Sequence, residues 1–373
     1  MSYIPGLEGV VVGETAVSHV EGEMGRLSYR GQVIENVVEM DYLEAAWLVL
    51  FGWRPGKAEL TEFSDFLSRH GALADADLDL IARIPSGLHP MKALQAVIPL
   101  LTHRRDRFSV GDSDLNDESV TGLQIMAKFP SVIAAIRAGR SDLADPGRYS
   151  AEQDYLERFM LMYTGSIPGN REMEIFKVVQ LLQIDHSFNA GTFASRVIGS
   201  TMAPVTAVLS GAVGALSGVL HGGADEAALS VAREVGSPEN AEAYVDRLLS
   251  EKGRLMGMGH REYRTVDPRS LVLKPLAREL CLGSDLENEF KTLLAIEEVF
   301  NRRMAERGKD VWANVEYYKG VVLEALGIEP AFFTTMFAMA RTVGWLAHFM
   351  ESRVNNRIIR PAAMYVGPEV SAA

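Results

Sequence analysis

Along most of the chain the apolar residues recur every three or four positions, the spacing that puts them on one face of an α-helix. In DYLEAAWLVLFG, residues 41–52, Leu43, Ala46, Trp47 and Leu50 share a face, with Asp41 placed to cap the start and Gly52 to end it. LTEFSDFLSRHG repeats the pattern and stops at Gly71. His89-Pro90 opens another helix, since proline is tolerated at a first helical position where no N–H is needed. The same periodicity predicts helices at 120–138, 151–163, 171–184, 190–220, 224–233, 239–252, 268–281, 284–305, 316–326 and 331–353. Alternating runs are few. TAVSHVEGEMGRLSYRG, residues 15–31, reads as two short strands hinged at Glu21-Gly22. The fold class this predicts is all-α, with a small β-hairpin near the N-terminus.

Two stretches are apolar enough to raise the question of a membrane. Residues 197–224 carry no formal charge, and 331–350 carry only Arg341. The first is diluted by Gly, Ser, Thr and Pro204. The second is bounded by Glu329 and Glu351, without a flanking Lys/Arg excess on one side. Buried core helices are the expectation for both. The net charge of −12 argues against nucleic acid or an anionic membrane as the main partner, but not against a small anion met by local arginines. A single cysteine, Cys281, allows no intrachain disulfide and suits a reducing compartment. The opening MSYIPGLEGVVVGE has no basic n-region and no proper h-region, so no export signal is expected. The eight histidines form no HxxxH or HxxH pair and there is no CxxC, so no metal site is expected. GMGHRE, residues 257–262, begins like a dinucleotide fingerprint but lacks its third glycine and a preceding strand.

Some residues look costly where they stand. Arg341 lies in FFTTMFAMARTVGWLAHFM, apolar on nearly every side, where an unpaired guanidinium costs several kcal/mol. It needs an anion, either a buried carboxylate of the protein or a ligand carboxylate. In GMGHREYRTVDPRS, Asp267 fits an N-cap and Pro268 a first helical position, which puts the cation Arg269 where free N–H groups favour an anion. Gly259 lets the chain bring His260 close to something. GVLHGGADEAA, residues 218–228, sets His221 and two glycines at the end of the uncharged run. DHSFNAG, residues 185–191, carries His186 in a loop, and NNRIIRPAAMYVG places Arg357 and Arg360 near the C-terminus. Taken singly, each has an ordinary structural explanation: a turn glycine, a hydrogen-bonding histidine, a solvated tail.

Taken in order, these stretches resemble citrate synthase. The resemblance is carried by PGLEGVVV with TAVSHVEGEMGRLSYRG, HPMKALQA, DHSFNAGTFASRVIGST, GALSGVLHGGADEA, MGMGHREYRTVDPRS, ANVEYYKGVVLEALGI and FAMARTVGWLAHFMESRVNNRIIRPAAMYVGP, and it spans essentially the whole chain. It implies the two-domain helical fold of that family. Residues 1–221 and 325–373 would form the large domain, and 222–324 an inserted small domain on the coenzyme A side. It implies a cytoplasmic homodimer of the shorter bacterial and archaeal type, with an active site shared between subunits. It further implies a tricarboxylic acid cycle enzyme that joins acetyl-CoA to oxaloacetate with no cofactor, its partners being those small molecules and not nucleic acid or membrane. By the resemblance, His221 holds the thioester carbonyl and His260 binds the oxaloacetate carbonyl as acid. Glu316 stands at the base, while His186, Arg269, Arg341 and the second subunit's copy of Arg360 hold the substrate. Gly257, Gly259, Arg307, Lys309 and Asn314 lie along coenzyme A.

The chain departs from the family's pattern in places. The base segment usually reads like PNVDFYSG, but here it is ANVEYYKG, with Glu316 in place of Asp. One extra methylene moves the carboxylate by over about an ångström, a misplacement that can cost about 10²-fold unless the backbone is set back to match. Lys319, one turn on, would favour the ionised form of Glu316 and weaken it as a base if it faced it; it is expected to point away. Asp225 stands where Asn is commoner, and Ser187 where Glu or Gly is commoner. Alternatives are a 2-methylcitrate synthase using propionyl-CoA, a paralogue that binds without turnover, and a lyase running citryl-CoA backwards.

Overall fold

A computed structural model describes residues 3–140 and 145–368. Near the N-terminus, β1 (Ser18–Glu21) and β2 (Arg26–Tyr29) form the expected hairpin, pairing Ser18 with Tyr29 and Glu21 with Arg26. A two-residue β3 (Gln32–Val33) extends it. Then come α1 (Ile34–Val37), α2 (Tyr42–Phe51), α3 (Lys57–His70), α4 (Asp75–Ala82) and α5 (Pro90–Val97). A minimal hairpin of β4 (Ser109–Val110) and β5 (Ser113–Asp114) precedes α6 (Asp117–Ala138). Next are α7 (Tyr155–Thr164), α8 (Asn170–Leu181), α9 (Ala190–Ser200), α10 (Val205–Leu216), α11 (Ala224–Val235) and α12 (Ala241–Ser250). The described chain closes with α13 (Pro268–Cys281), α14 (Glu287–Ala305), α15 (Val315–Ala325) and α16 (Phe333–Val354).

Local chemistry sets most boundaries. Gly52 ends α2 with φ 97°, a left-handed turn that a side chain would resist. α7 starts at 155 rather than 151 because Asp154 caps it, accepting from the N–H groups of Leu156 (2.8 Å) and Glu157 (2.7 Å). The single helix expected over 190–220 is two. Pro204 has no N–H to give the preceding turn, so the chain breaks at 201–204 and restarts as α10.

α16 explains why 331–350 is apolar all round: every residue from Phe333 to Phe349 is buried. It runs through the core and packs on α2, α6, α9 and α10. α6 is the one described helix long and apolar enough to cross a membrane, and 94% of its apolar window is buried inside the fold. Trp47, Phe51, Phe63 and Phe108 make an aromatic cluster with centroids 4.5 to 6.3 Å apart. Each such pair contributes about 0.5–1.5 kcal/mol beyond its burial. A second group packs largely on itself, with α13 and α11 against α15 and α12 against α14. The candidate residues fall where α9, α10 and α16 meet α11, α13 and α15.

Candidate functional site

α10 ends at Leu216 and the chain turns tightly, Gly218 O accepting from the N–H groups of His221 (2.8 Å) and Gly222 (3.1 Å). The two glycines after His221 have separate reasons. A Cβ at Gly222 would collide with Leu216 O and Thr334, and Gly223 takes φ +83°. His221 is thereby swung onto the start of α9. Its Nε2 lies 3.1 Å from the Gly191 N–H and 3.1 Å from Asn189 Oδ1. Gly191 sits in the first turn of α9, where an N–H has no intrahelical acceptor and can only donate. Asn189 Oδ1 is already taken by the Thr192 N–H at 3.1 Å. This assigns the lone pair to Nε2 and leaves Nδ1–H as a donor for a ligand. Burial, helped by the Arg341 charge, lowers the His221 pKa to about 4, so the ring is neutral at pH 7.

His260 is held by the opposite nitrogen. Its Nδ1 accepts from the Glu262 N–H at 3.0 Å and the Tyr263 N–H at 3.4 Å, so its proton is on Nε2. Burial and the charge of Arg269 lower its pKa to about 4, against the pull of Asp267. His186 stands 5.1 Å away, ring centroid to centroid, with its Nε2 3.1 Å from Tyr263 Oη. Burial and the charge of Arg269 push His186 well down as well. The loop bearing it is strained at Ser187, whose φ of +50° costs a non-glycine residue about 1–2 kcal/mol. Buried Asp185 and Ser18 steady the turn, accepting from the Ser187 N–H at 3.0 and 2.8 Å.

The two arginines differ. Arg269 folds back on Asp267, Nε to Oδ1 at 3.0 Å and Nη2 to Oδ2 at 2.8 Å. The anion at the start of α13 is thus Asp267 itself, which also accepts from the Arg269 N–H at 3.0 Å and the Val315 N–H at 3.2 Å. Burial pushes the Asp267 carboxyl up, but the Arg269 charge and these hydrogen bonds outweigh it and hold it below its usual range. Nη1 of Arg269 has no hydrogen bond among the described residues. Arg341 is 1% exposed and gives its Nε to Gln183 O at 2.7 Å, over the Phe337 ring. No carboxylate among the described residues lies within 4.0 Å of it. Burial pulls its pKa below the ordinary arginine value, with Asp185 partly restoring it.

Asn314 locks the 257–259 segment to α15. Its N–H reaches Gly257 O at 2.9 Å, its Nδ2 reaches Gly259 O at 2.9 Å, and its Oδ1 caps α15 at the Glu316 N–H, 2.9 Å. Gly257 combines φ +81° with a backbone pressed onto Tyr317, so no side chain fits there. Glu316, in the first turn of α15, is buried, and Lys319 does not point away from it. Lys319 Nζ lies 2.8 and 2.7 Å from the two Glu316 carboxylate oxygens, 2.9 Å from Gln183 Oε1 and 3.1 Å from Asp225 Oδ2. The i,i+3 spacing puts both side chains on one face of α15, and the acidic partner on α11 keeps the ammonium inside. Burial raises the Glu316 pKa and Asp225 adds to that, while Lys319 opposes it without cancelling it.

His186, His221, His260, Arg269, Arg341 and Glu316 therefore converge on one region, three from the turns before α9, α11 and α13 and three from α13, α15 and α16. Arg307 and Lys309 are exposed in the turn after α14. Arg360 stands apart, exposed in a tail tied to α9 by the Ile359 N–H to Ser200 Oγ (3.0 Å) and Asn356 Nδ2 to Ser200 O (3.0 Å). Sequence reasoning missed Asp267 as the partner of Arg269, Asn189 and Gly191 as the partners of His221, and Gln183 and Asp225 around Lys319. Among the described residues no group of three or more His, Cys, Asp or Glu is placed to hold a metal.

A family model described as "Citrate synthase, C-terminal domain" matches residues 6–362. A citrate synthase of Synechocystis is 36% identical, over 97% of this chain and 90% of its own. A 2-methylcitrate synthase of Shewanella oneidensis is 31% identical, over 97% of this chain and 94% of its own. Among solved structures, a ternary complex of citrate synthase from Thermoplasma acidophilum with carboxymethyl coenzyme A and oxaloacetate aligns with a TM-score of 0.88. It is 26% identical, with 99% of this chain and 97% of that one covered.

Proposed function

The chain belongs to the citrate synthase family, and from that premise we propose that it condenses acetyl-CoA with oxaloacetate and water, giving citrate and free coenzyme A. The observation that carries this reading is Arg341, a buried guanidinium with no carboxylate within 4.0 Å among the described residues, whose charge bears on the neutral rings of His186 and His221, with neutral His260 beside His186. A small dicarboxylate with a carbonyl between its acids answers both the missing anion and the donors.

The α-proton of a thioester is far less acidic than a carboxylic acid, so charge must be stabilised where it develops. Glu316 takes the methyl proton as His221 Nδ1–H donates to the thioester oxygen, which receives the electron pair. The enol carbon then attacks the oxaloacetate carbonyl, and His260 Nε2–H gives its proton to the forming alkoxide. Water cleaves the resulting thioester and releases coenzyme A as thiol. No resident cofactor is needed for these transfers. Arg269, Arg341 and His186 hold oxaloacetate, and Gly257, Gly259, Asn314, Arg307 and Lys309 line the coenzyme A path. Residues 222–324 act as the small domain, closing on 1–221 and 325–373. The self-contained packing of α11 to α15 supports that division.

The enzyme works as a cytoplasmic homodimer in the tricarboxylic acid cycle. Val219 (79% exposed) and Leu220 (87%) beside His221, with Met364, Tyr365 and Val366 in the tail, are apolar surface that suits a second subunit. Arg360 then completes the neighbouring site. Arg360→Ala and His221→Ala chains, each inactive alone, should on co-refolding regain about one competent site per heterodimer. Heterodimers as inactive as both parents would remove Arg360 from that role.

Thiol release tests the whole reading. The protein with oxaloacetate should liberate thiol from acetyl-CoA faster than from propionyl-CoA. A reversed preference would assign it to 2-methylcitrate synthesis, the activity in the names of two relatives. No thiol from either would mean binding without turnover.

A further inference from the structure

We propose that Lys319 is a positioning residue for Glu316, gripping its carboxylate and keeping it charged inside a dry site, with Asp225 as the counterweight. The inference rests on reading Glu316 as the base. Lys319 is fully buried, so its ammonium must find all its partners in the protein. An ammonium has three donors. Here they meet both oxygens of Glu316 (2.8 and 2.7 Å) and Gln183 Oε1 (2.9 Å), with Asp225 Oδ2 at 3.1 Å and the Phe337 ring centroid at 4.4 Å. A lysine serving only to neutralise Asp225 would not need the Glu316 carboxylate in a two-oxygen grip.

α11 and α15 are pressed together where this happens. A Cβ at Gly320 would collide with Asp225 O, so only glycine next to Lys319 lets the Asp225 backbone come this near. The charged groups facing Glu316 are Lys319 on its own helix, Asp225 from α11, Arg269 from α13 and Arg341 from α16. The segment after α8 supplies neutral Gln183. Two buried carboxylates this close cannot both stay ionised without a cation between them. With Lys319 removed, Glu316 would take up a proton and stop being a base near neutral pH. Glu316 and Asp225 thus meet at the single Lys319 ammonium.

Two readouts test this: the acid limb of the kcat pH profile, and the titration of the Glu316 carboxyl carbon by ¹³C NMR, assigned by its loss in Glu316→Gln. Lys319→Met keeps the length and removes the charge, and should move the Glu316 midpoint up by about 1–3 pH units, the acid limb following. Asp225→Asn keeps the shape and removes the competing anion, and should move the midpoint down. The double variant should fall between the two single variants. Opposite shifts from the two single variants are what a merely structural lysine would not produce. If Lys319→Met does not fold, Lys319→Gln, which removes the charge and keeps a donor for Gln183, is read by the same upward shift of the midpoint. An unmoved midpoint, with kcat reduced equally at every pH, overturns the proposal. A moved midpoint with an unmoved acid limb supports the grip and sinks only the assignment of Glu316 as base.

Discussion

Glu316→Gln should lower kcat by about 10³-fold, within the 10²–10⁴ range that a positioned general base contributes. At about 1.4 kcal/mol per factor of ten, that is roughly 4 kcal/mol of barrier. The amide keeps the size of the side chain and can still reach Lys319 with its oxygen, so folding and oxaloacetate binding should survive. Exchange of the acetyl α-protons, followed by NMR with an oxaloacetate analogue bound, isolates the step. Wild-type exchange in Glu316→Gln would show that another group is the base. Glu316→Asp tests the geometry. The grip of Lys319 on both oxygens, 2.8 and 2.7 Å, is built for the longer side chain. Shortening it draws the carboxylate back by about 1.5 Å, one C–C bond. kcat should fall by about 10²-fold. A rise in kcat would mean that the site is an imperfect version of an aspartate geometry.

The helical architecture was readable because its signal is local. Long amphipathic helices such as α3 and α14 announce themselves by spacing, and α16 by being apolar on every side. What was lost was short or broken: α4, the two-residue strands β4 and β5, and the interruption at Pro204. There the apolar pattern continues through a break that only the missing N–H enforces.

The site was legible in a different way. Single residues gave only oddities, such as a histidine ending an uncharged run or a guanidinium in a core helix. Their roles came from the order of several motifs together. Partners close in sequence were within reach: Asp267 was expected as a cap, and its bond to Arg269 two residues on is a short extension of that. Lys319 defies its sequence context because a lysine in a helix ordinarily finds water. What keeps it in is Asp225 on α11, far away in sequence, and spacing along one chain says nothing about that. The tautomers of His221 and His260 were likewise beyond sequence, since they depend on which backbone N–H groups the folded loops present.

Arg341→Met should raise KM for oxaloacetate by on the order of 10³-fold while leaving the unliganded protein as stable as before, within about 2 kcal/mol. The two halves of that expectation have one cause. A buried cation is costly to desolvate, and among the described residues Arg341 offsets that cost in part with one hydrogen bond, to Gln183 O at 2.7 Å, its place over the Phe337 ring at 4.8 Å and the field of Asp185. Methionine removes both the burden and the bond, and fills much of the same volume, so the two changes nearly cancel. With substrate bound the account differs. The guanidinium would meet a carboxylate in a dry site, and breaking such a pair costs about 3–5 kcal/mol. Thermal unfolding with and without oxaloacetate separates these terms. At 100-fold saturation a ligand stabilises the native state by about 2.7 kcal/mol, and this increment should vanish in Arg341→Met at the same concentration. Arg341→Lys should recover little, because a point charge cannot reproduce the two-pronged fit to a carboxylate. If Arg341→Met instead lowered the stability of the unliganded protein by several kcal/mol and left KM unchanged, the guanidinium would be a structural member of the core, and the anion it serves would have to be Asp185, the carboxylate whose field acts on it most strongly.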